Sequence, residues 1–446
     1  MPTVTFLQDS IYALASGAGR AGVAVFRLSG PLAGPALAAL TGQAVPPPRQ
    51  AVYRRLVWQG EVIDHGLALW FPGPASFTGE DVAEFQLHGG RAVAQALATA
   101  LTALGLRPAE PGEFSRRAFD AGKLDLTQAE AIADLVAAET AAQRRQALRQ
   151  MDGALLRLYE DWRGRLLRAQ AHVEAGIDFS DEDLPGGLDD GARRALQAVA
   201  AEMAAHLADS HRGERLRDGL HVAILGAPNV GKSSLLNRIA GREAAIVSGT
   251  AGTTRDIIEV HLDLGGYPVV LADTAGLREA AEAVEEEGVR RALDRADRAD
   301  LKVLVFAVEA LDDPDASVLA LLDKDSLVLI NKCDAAAPAR PAWAGETETL
   351  TVSARTGLGL DALMAALTER AARALESDGA PALTRERHRR AIEEALACLR
   401  QAATAGLPEL AAEDVRLAAR ALGRITGRVD VEEMLDVIFR EFCIGK

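Results

Sequence analysis

Eight consecutive residues constrain this chain more than any other stretch. Gly226-Ala227-Pro228-Asn229-Val230-Gly231-Lys232-Ser233 fits G-x-x-x-x-G-K-[ST] without a mismatch. The run follows His221 to Leu225, which reads as a strand, and opens Ser234-Leu235-Leu236-Asn237-Arg238-Ile239, which reads as a helix. In that setting the glycines let successive backbone N–H groups curl around phosphate oxygens at the positive end of a helix dipole. Asn229, Val230, Gly231 and Ser234 are candidate walls of the cradle. Lys232 is placed to reach the outer phosphates and Ser233 to hold Mg²⁺. Lysine is scarce, occurring only at Lys123, Lys232, Lys302, Lys324, Lys332 and Lys446. A chance match is correspondingly rare.

Further elements follow in order. Asp273-Thr274-Ala275-Gly276 comes after the apolar run Pro268 to Ala272, where an Asp can hold Mg²⁺ through water and Gly276 can offer an N–H. Asn331-Lys332-Cys333-Asp334 ends the run Leu327 to Ile330, and its carboxylate can accept from N1–H and the 2-amino group of guanine, which adenine lacks. Ser353-Ala354-Arg355 ends the last strand and is expected to close over the guanine oxygen. Between them Ser248-Gly249-Thr250-Ala251-Gly252-Thr253-Thr254 reads as a loop that orders on the γ-phosphate, with Thr254 the candidate second hydroxyl on Mg²⁺. The expected ligand is GTP and the expected activity its hydrolysis. Leu277 stands where Ras-type enzymes place a water-orienting Gln. Another group must act, and spacing alone leaves Arg278, Glu279, Glu282 and Glu285 open.

The 446 residues allow two to four domains. A net charge of −15 excludes a molecule that is basic throughout, so any nucleic-acid contact must be local or shared. Cys333, Cys398 and Cys443 are too few and too far apart for a disulfide framework or a metal spacing, which suits a reducing cytoplasm. No signal peptide or membrane span is expected.

Strands are expected at 22–28, 62–71 and 82–87, with a helix after Gly90, in an α+β unit. From Leu126 a helical period takes over. Leu148, Met151, Leu155, Leu158, Trp162, Leu166, Ala169 and Val173 read as one sustained stripe, and a second helix is expected from about Asp189 to Arg212. Strands at 221–225, 257–264, 268–272, 302–308, 326–330 and 349–352 predict a mostly parallel sheet, with Gly265-Gly266 as a hairpin. Helical periodicity resumes after 380. The expected architecture is multidomain: an N-terminal α+β domain (1–120), a helical-bundle domain in two parts (121–214 and 379–446), and an inserted Ras-like α/β domain (215–378) with a six-stranded, mostly parallel sheet.

Beyond the nucleotide motifs stand Thr78-Gly79-Glu80-Asp81-Val82, His88-Gly89-Gly90 and Pro111-Gly112-Glu113-Phe114. To these are added Lys123-Leu124-Asp125-Leu126, Glu130-Ala131-Ile132 and the terminal Cys443-Ile444-Gly445-Lys446. On these residues the chain resembles the MnmE (TrmE) family of tRNA-modification GTPases over nearly its full length.

The resemblance implies an N-terminal folate-binding domain that also dimerises. It implies a flavoprotein partner, MnmG, in a heterotetramer-type complex, and installation of an aminomethyl or carboxymethylaminomethyl group on C5 of a tRNA wobble uridine. The one-carbon donor is then 5-formyltetrahydrofolate or a related tetrahydrofolate. Hydrolysis is implied to switch on when two such α/β domains meet, with K⁺ in place of an arginine finger.

By the same match Asn229, Ser248, Thr250 and Thr253 ligate K⁺, and Glu285 is lifted above its neighbours as the water-organising carboxylate. The family loop usually carries larger residues than Gly249 and Thr250. Arg27, Glu84, Lys123 and Lys446 fall on folate-binding positions, with Cys443 near them as a candidate nucleophile. Two rival readings are a ribosome-assembly GTPase that binds rRNA without modification chemistry, and a structural or signalling G protein. The first wants a basic domain after the α/β domain, and only Arg385 to Arg390 is densely basic.

Overall fold

The computed structural model describes residues 9–178, 190–209, 211–242, 244–246, 259–273, 299–336, 338–376, 379–429, 432–440 and 442–445. By contact the chain gathers into two compact units, one of residues 1–136, 150–196 and 397–446, the other of 137–149 and 197–396.

In the first unit a six-stranded sheet has the order β3-β4-β5-β2-β1-β6. The strands are β1 (Ile11–Leu14), β2 (Ala21–Ser29), β3 (Val52–Trp58), β4 (Glu61–Phe71), β5 (Val82–Gly89) and β6 (Arg107–Pro108). Alternation along β2 and β5 turns Phe26, Leu28, Phe85 and Leu87 to one face. There they pack with Leu37 and Leu40 of the helix Ala33–Thr41 and Leu97 and Leu101 of the helix Arg91–Ala103. The opposite residues Arg27 and Glu84 are paired in register across β2 and β5.

The expected continuous stripe from Leu148 is broken. One helix ends at Met151 and the next runs Ala154–Asp178, with Gly153 between them at φ 80°. Only beyond the break is the stripe buried, through Leu155, Tyr159, Trp162, Leu166, Ala169 and Val173, while Leu148 is exposed. That face lies along the helix Pro408–Thr426, which buries Val415, Ala418, Leu422 and Ile425. The expected single helix to Arg212 is likewise two, Asp190–Leu207 and Arg212–Asp218, separated by His211 in a left-handed conformation.

The second unit holds a sheet of order β12-β11-β10-β7-β9-β8. Its strands are β7 (Leu220–Leu225), β8 (Glu259–Leu264), β9 (Tyr267–Asp273), β10 (Leu301–Ala307), β11 (Leu327–Asn331) and β12 (Thr349–Thr351). All neighbours are parallel except the β8–β9 hairpin, which turns at Gly265 and Gly266 with φ of 63° and 92°. Ala142, from the start of the helix Ala141–Met151, is buried in the same core as β7 and β9.

Candidate functional site

Four of the expected motifs lie at the carboxyl ends of parallel strands β7, β9, β11 and β12, where open α/β sheets carry their ligands. The turn after β7 needs its glycines. A Cβ on Gly226 would strike the Val305 carbonyl of β10, and one on Gly231 would strike the Asn331 amide. Asn229 sits in the left-handed region at φ 64°, which Asn tolerates better than most residues. Gly231 then caps the helix Lys232–Ala240 at φ 97°. Lys232 is buried, and its ammonium donates to the Gly226 and Ala227 carbonyls at 2.6 and 2.9 Å, which holds the charge inside the turn. Ser233 is exposed in the helix's first turn.

Asn331 braces the base side against the phosphate side. Its amide N–H donates to the Val230 carbonyl at 2.7 Å, and its side-chain oxygen accepts from the Ala354 N–H at 3.0 Å. Asp334 accepts from the Ser353 hydroxyl at 2.6 Å, and Arg355 lies 2.5 Å from its other oxygen. The Ser353 hydrogen bond, aided by the Arg355 guanidinium, holds this carboxyl below the usual carboxylate range, so it stays a pure acceptor. Burial and the Asp334 charge push the Cys333 thiol up. Lys332, at φ 65°, turns its ammonium to within 3.5 Å of Glu309.

Ser248, Gly249, Thr250, Ala251, Gly252, Thr253, Thr254, Thr274, Ala275, Gly276, Arg278, Glu285 and Lys446 lie outside the described residues, as does the side chain of Asp273.

In the first unit the structure brings together residues that the chain keeps far apart. Arg27 Nε donates to Glu84 at 2.8 Å, and its NH1 donates to the Gly445 carbonyl at 3.4 Å. Phe77 and Phe114 flank the guanidinium at 5.7 and 5.8 Å from their ring centres. Arg27 and Glu84 keep 19% and 16% of their side chains exposed, so a planar polar ligand can reach both. The C-terminal segment reaches this place by pairing Ile444 with Pro111, while the Cys443 carbonyl accepts from the Gly112 N–H at 3.5 Å. Cys443 is exposed. Lys123 is exposed, and its stem lies over Gly79, where a Cβ would come within 3.6 Å of it.

Sequence reasoning missed the charge network beneath these residues. Arg117, buried to 6%, lies 2.8 Å from Asp9, 3.1 Å from Glu80 and 2.9 Å from Glu113, and Arg107 joins Asp9 at 2.6 Å and Glu113 at 2.5 Å. Burial alone would raise Glu113, but hydrogen bonds from Arg107, the Glu110 N–H and Arg117 hold it below the usual range. Ser29 donates to Glu80 at 2.6 Å and shares a 2.7 Å hydrogen bond with Thr78. Glu80 and Glu113 therefore tie the loops carrying Phe77 and Phe114 to one another. The only local signal was two Glu beside Gly in otherwise apolar surroundings.

A model of the TrmE N-terminus matches residues 10–123, and a model of the MnmE helical domain matches 126–443, a span that encloses the second sheet. The tRNA modification GTPase MnmE of Paramagnetospirillum magneticum is 61% identical over 441 residues, covering 99% of this chain and all of the relative. The protein of the same name from Rhodospirillum rubrum is 58% identical over 457 residues, covering 98% of this chain and 99% of the relative. Among solved structures, the G domain of the T. maritima FeoB iron transporter aligns at 28% identity over 34% of this chain and 97% of that chain, with a TM-score of 0.26. Matched end to end at such identity, the chain belongs to the MnmE (TrmE) family of tRNA modification GTPases.

Proposed function

We propose that this GTP hydrolase couples nucleotide turnover to modification of C5 of a tRNA wobble uridine, using a tetrahydrofolate-bound one-carbon unit. The observation that carries the reading is the meeting of Arg27, Glu84 and the C-terminal Cys443–Gly445 segment on one sheet face, across 418 residues of chain. A carboxylate suits the donor edge of a pterin, and the guanidinium suits a carbonyl or carboxylate of the same ligand. The folate supplies the carbon. Glu84 and Arg27 orient it, Lys123 offers its charge at the rim, and Lys446 continues the segment that ends at Gly445.

In the second unit Lys232 and the backbone N–H groups from Asn229 to Ser234 hold phosphates, and Asp334 selects guanine with Ser353, Ala354, Arg355, Asn331, Lys332 and Cys333 around it. A Mg²⁺ ion neutralises phosphate charge when bound. Ser233 suits it as an exposed hydroxyl directly after the phosphate lysine, with Thr254 and Asp273 as the further candidates. For K⁺, Asn229 is exposed on the turn, and Ser248, Thr250 and Thr253 complete the set. Glu285 is the carboxylate to organise the attacking water, with Arg278 as a second candidate. Two copies of the chain and the flavoprotein MnmG make up the assembly, and the cytoplasm is its place. Among the described residues no helix is long and apolar enough to cross a membrane.

Calorimetry of the whole chain with 5-formyltetrahydrofolate tests the carrier reading. Binding lost in both Arg27→Ala and Glu84→Gln supports it, and binding by neither wild type nor variants removes it. Wobble-nucleoside mass spectrometry of cells lacking the gene then tests the product.

A further inference from the structure

The helix Ala141–Met151 begins in the unit of the nucleotide sheet and ends in the other. At its start it is clamped three ways. The Ala142 N–H donates to the Gly266 carbonyl at the tip of the β8–β9 hairpin, at 3.0 Å. Gln143 donates to the Arg217 carbonyl at 2.9 Å, and its side-chain oxygen collects the N–H groups of Glu139 and Thr140. Glu139 lies 3.6 Å from His261 of β8.

β8 is the edge strand of its sheet, bonded on one side to β9. It begins directly after residues 247–258, and the Ile246 N–H just before them donates to the His261 carbonyl at 2.8 Å. A cavity of about 250 Å³ lies among Glu139, Gln143, Arg217, Ile246 and His261, which leaves these groups room to shift. An edge strand with space beneath it moves more readily than a central one held on both sides. At the far end of the helix Gln150 is buried and donates to the Thr127 carbonyl at 2.7 Å. Thr127 in turn donates through its N–H and hydroxyl to Asp125, at 2.8 and 2.6 Å, two residues from Lys123.

We propose that the clamp of Glu139, Ala142 and Gln143 on the β8–β9 hairpin transmits the nucleotide state along the helix Ala141–Met151 to Gln150, Thr127 and the carrier-binding Lys123. It rests on the reading of residues 248–254 as nucleotide contacts and of Lys123 as a carrier contact. Glu139, His261 and Gln143 act as positioning residues, since none of them touches either ligand's site. A hairpin displaced by the nucleotide pulls Gly266 and His261, and with them the first turn of the helix. The helix is rigid over its 11 residues, so its last turn carries the shift to Thr127.

The test uses the whole chain and two sets of variants, Glu139→Gln with His261→Gln, and separately Gln143→Ala. The partly exposed Glu139 and His261 fold safely when made neutral. Affinity for 5-formyltetrahydrofolate is measured with GDP and with a non-hydrolysable GTP analogue. Wild type is expected to show a ratio of about five or more between the two states, in the range typical of coupled sites. The variants should bring that ratio below about two, with GTP turnover at the wild-type level. A ratio retained in the variants, or a ratio of one in wild type, overturns the proposal.

Hydrogen exchange over residues 127–130 and 147–151 reads the relay without the carrier. A nucleotide-dependent change in wild type that vanishes in the variants supports it, and no change in wild type overturns it. If exchange responds while the folate fails to bind in every state, the carrier reading falls and the relay stands.

Discussion

Asp334 decides the base with one charge. Its two oxygens are already set at hydrogen-bonding distance from Ser353 and Arg355, so the carboxylate is fixed in place before any ligand arrives. Removing that charge in Asp334→Asn takes away two charge-assisted hydrogen bonds to guanine at about 1.5–3 kcal/mol each. GTP affinity is expected to fall by about a hundredfold or more, read by calorimetry, with Tm unchanged. Ser353→Ala removes only the orienting bond and should weaken GTP by about fivefold, since one neutral donor contributes about 1 kcal/mol. The carboxyl is held low, so the affinity should also stay flat from pH 8 to pH 5 and decline only below the ordinary carboxylate range.

At the scale of elements, two joints carry the architecture. The first is the turn from β7 into the helix Lys232–Ala240. Gly231→Ala forces a side chain into a left-handed position and onto the Asn331 amide, which costs about 1–3 kcal/mol and parts the two halves of the nucleotide site. The expected result is a lower Tm together with lost GTP binding, and an unchanged Kd would show that the brace is dispensable.

The second joint is the network around Arg117. Arg117→Met leaves Asp9, Glu80 and Glu113 without their buried cation, and a loss of about 3–5 kcal/mol is expected in urea denaturation. Its pH dependence has a definite sign. Both Asp9 and Glu113 are held below their ordinary values of 3.8 and 4.5, against burial, by their arginine partners. Their contribution is therefore complete above those values and is lost as pH falls through the depressed ones. In Arg117→Met that acid-side loss of stability should shrink.

Across the whole molecule the two units offer a physical handle, because each ligand belongs to one of them. GTP with Mg²⁺ at a hundred times its Kd adds about 2.7 kcal/mol to the unit it binds. Calorimetry is expected to show two transitions, one raised by GTP and the other by 5-formyltetrahydrofolate. A single transition raised equally by both would mean that the units melt as one.

The nucleotide site could be read from the sequence because its chemistry is local. A phosphate turn needs eight adjacent residues, and a base-reading Asp needs only to end a strand, so spacing along the chain carried the motifs from Gly226 to Arg355. Periodicity likewise revealed the six strands of that sheet and the buried stripe from Leu155 to Val173. It passed over the break at Gly153, where apolar spacing continued across an Asp-Gly turn. What only the tertiary structure decided is long-range. Arg27 meets Gly445, Arg117 gathers Asp9 and Glu80, and Ala142 joins a core begun at Leu220. Each joins residues whose partners are chosen by packing and burial, and a charge on one strand bears no mark of the distant carboxylate or carbonyl that will neutralise it.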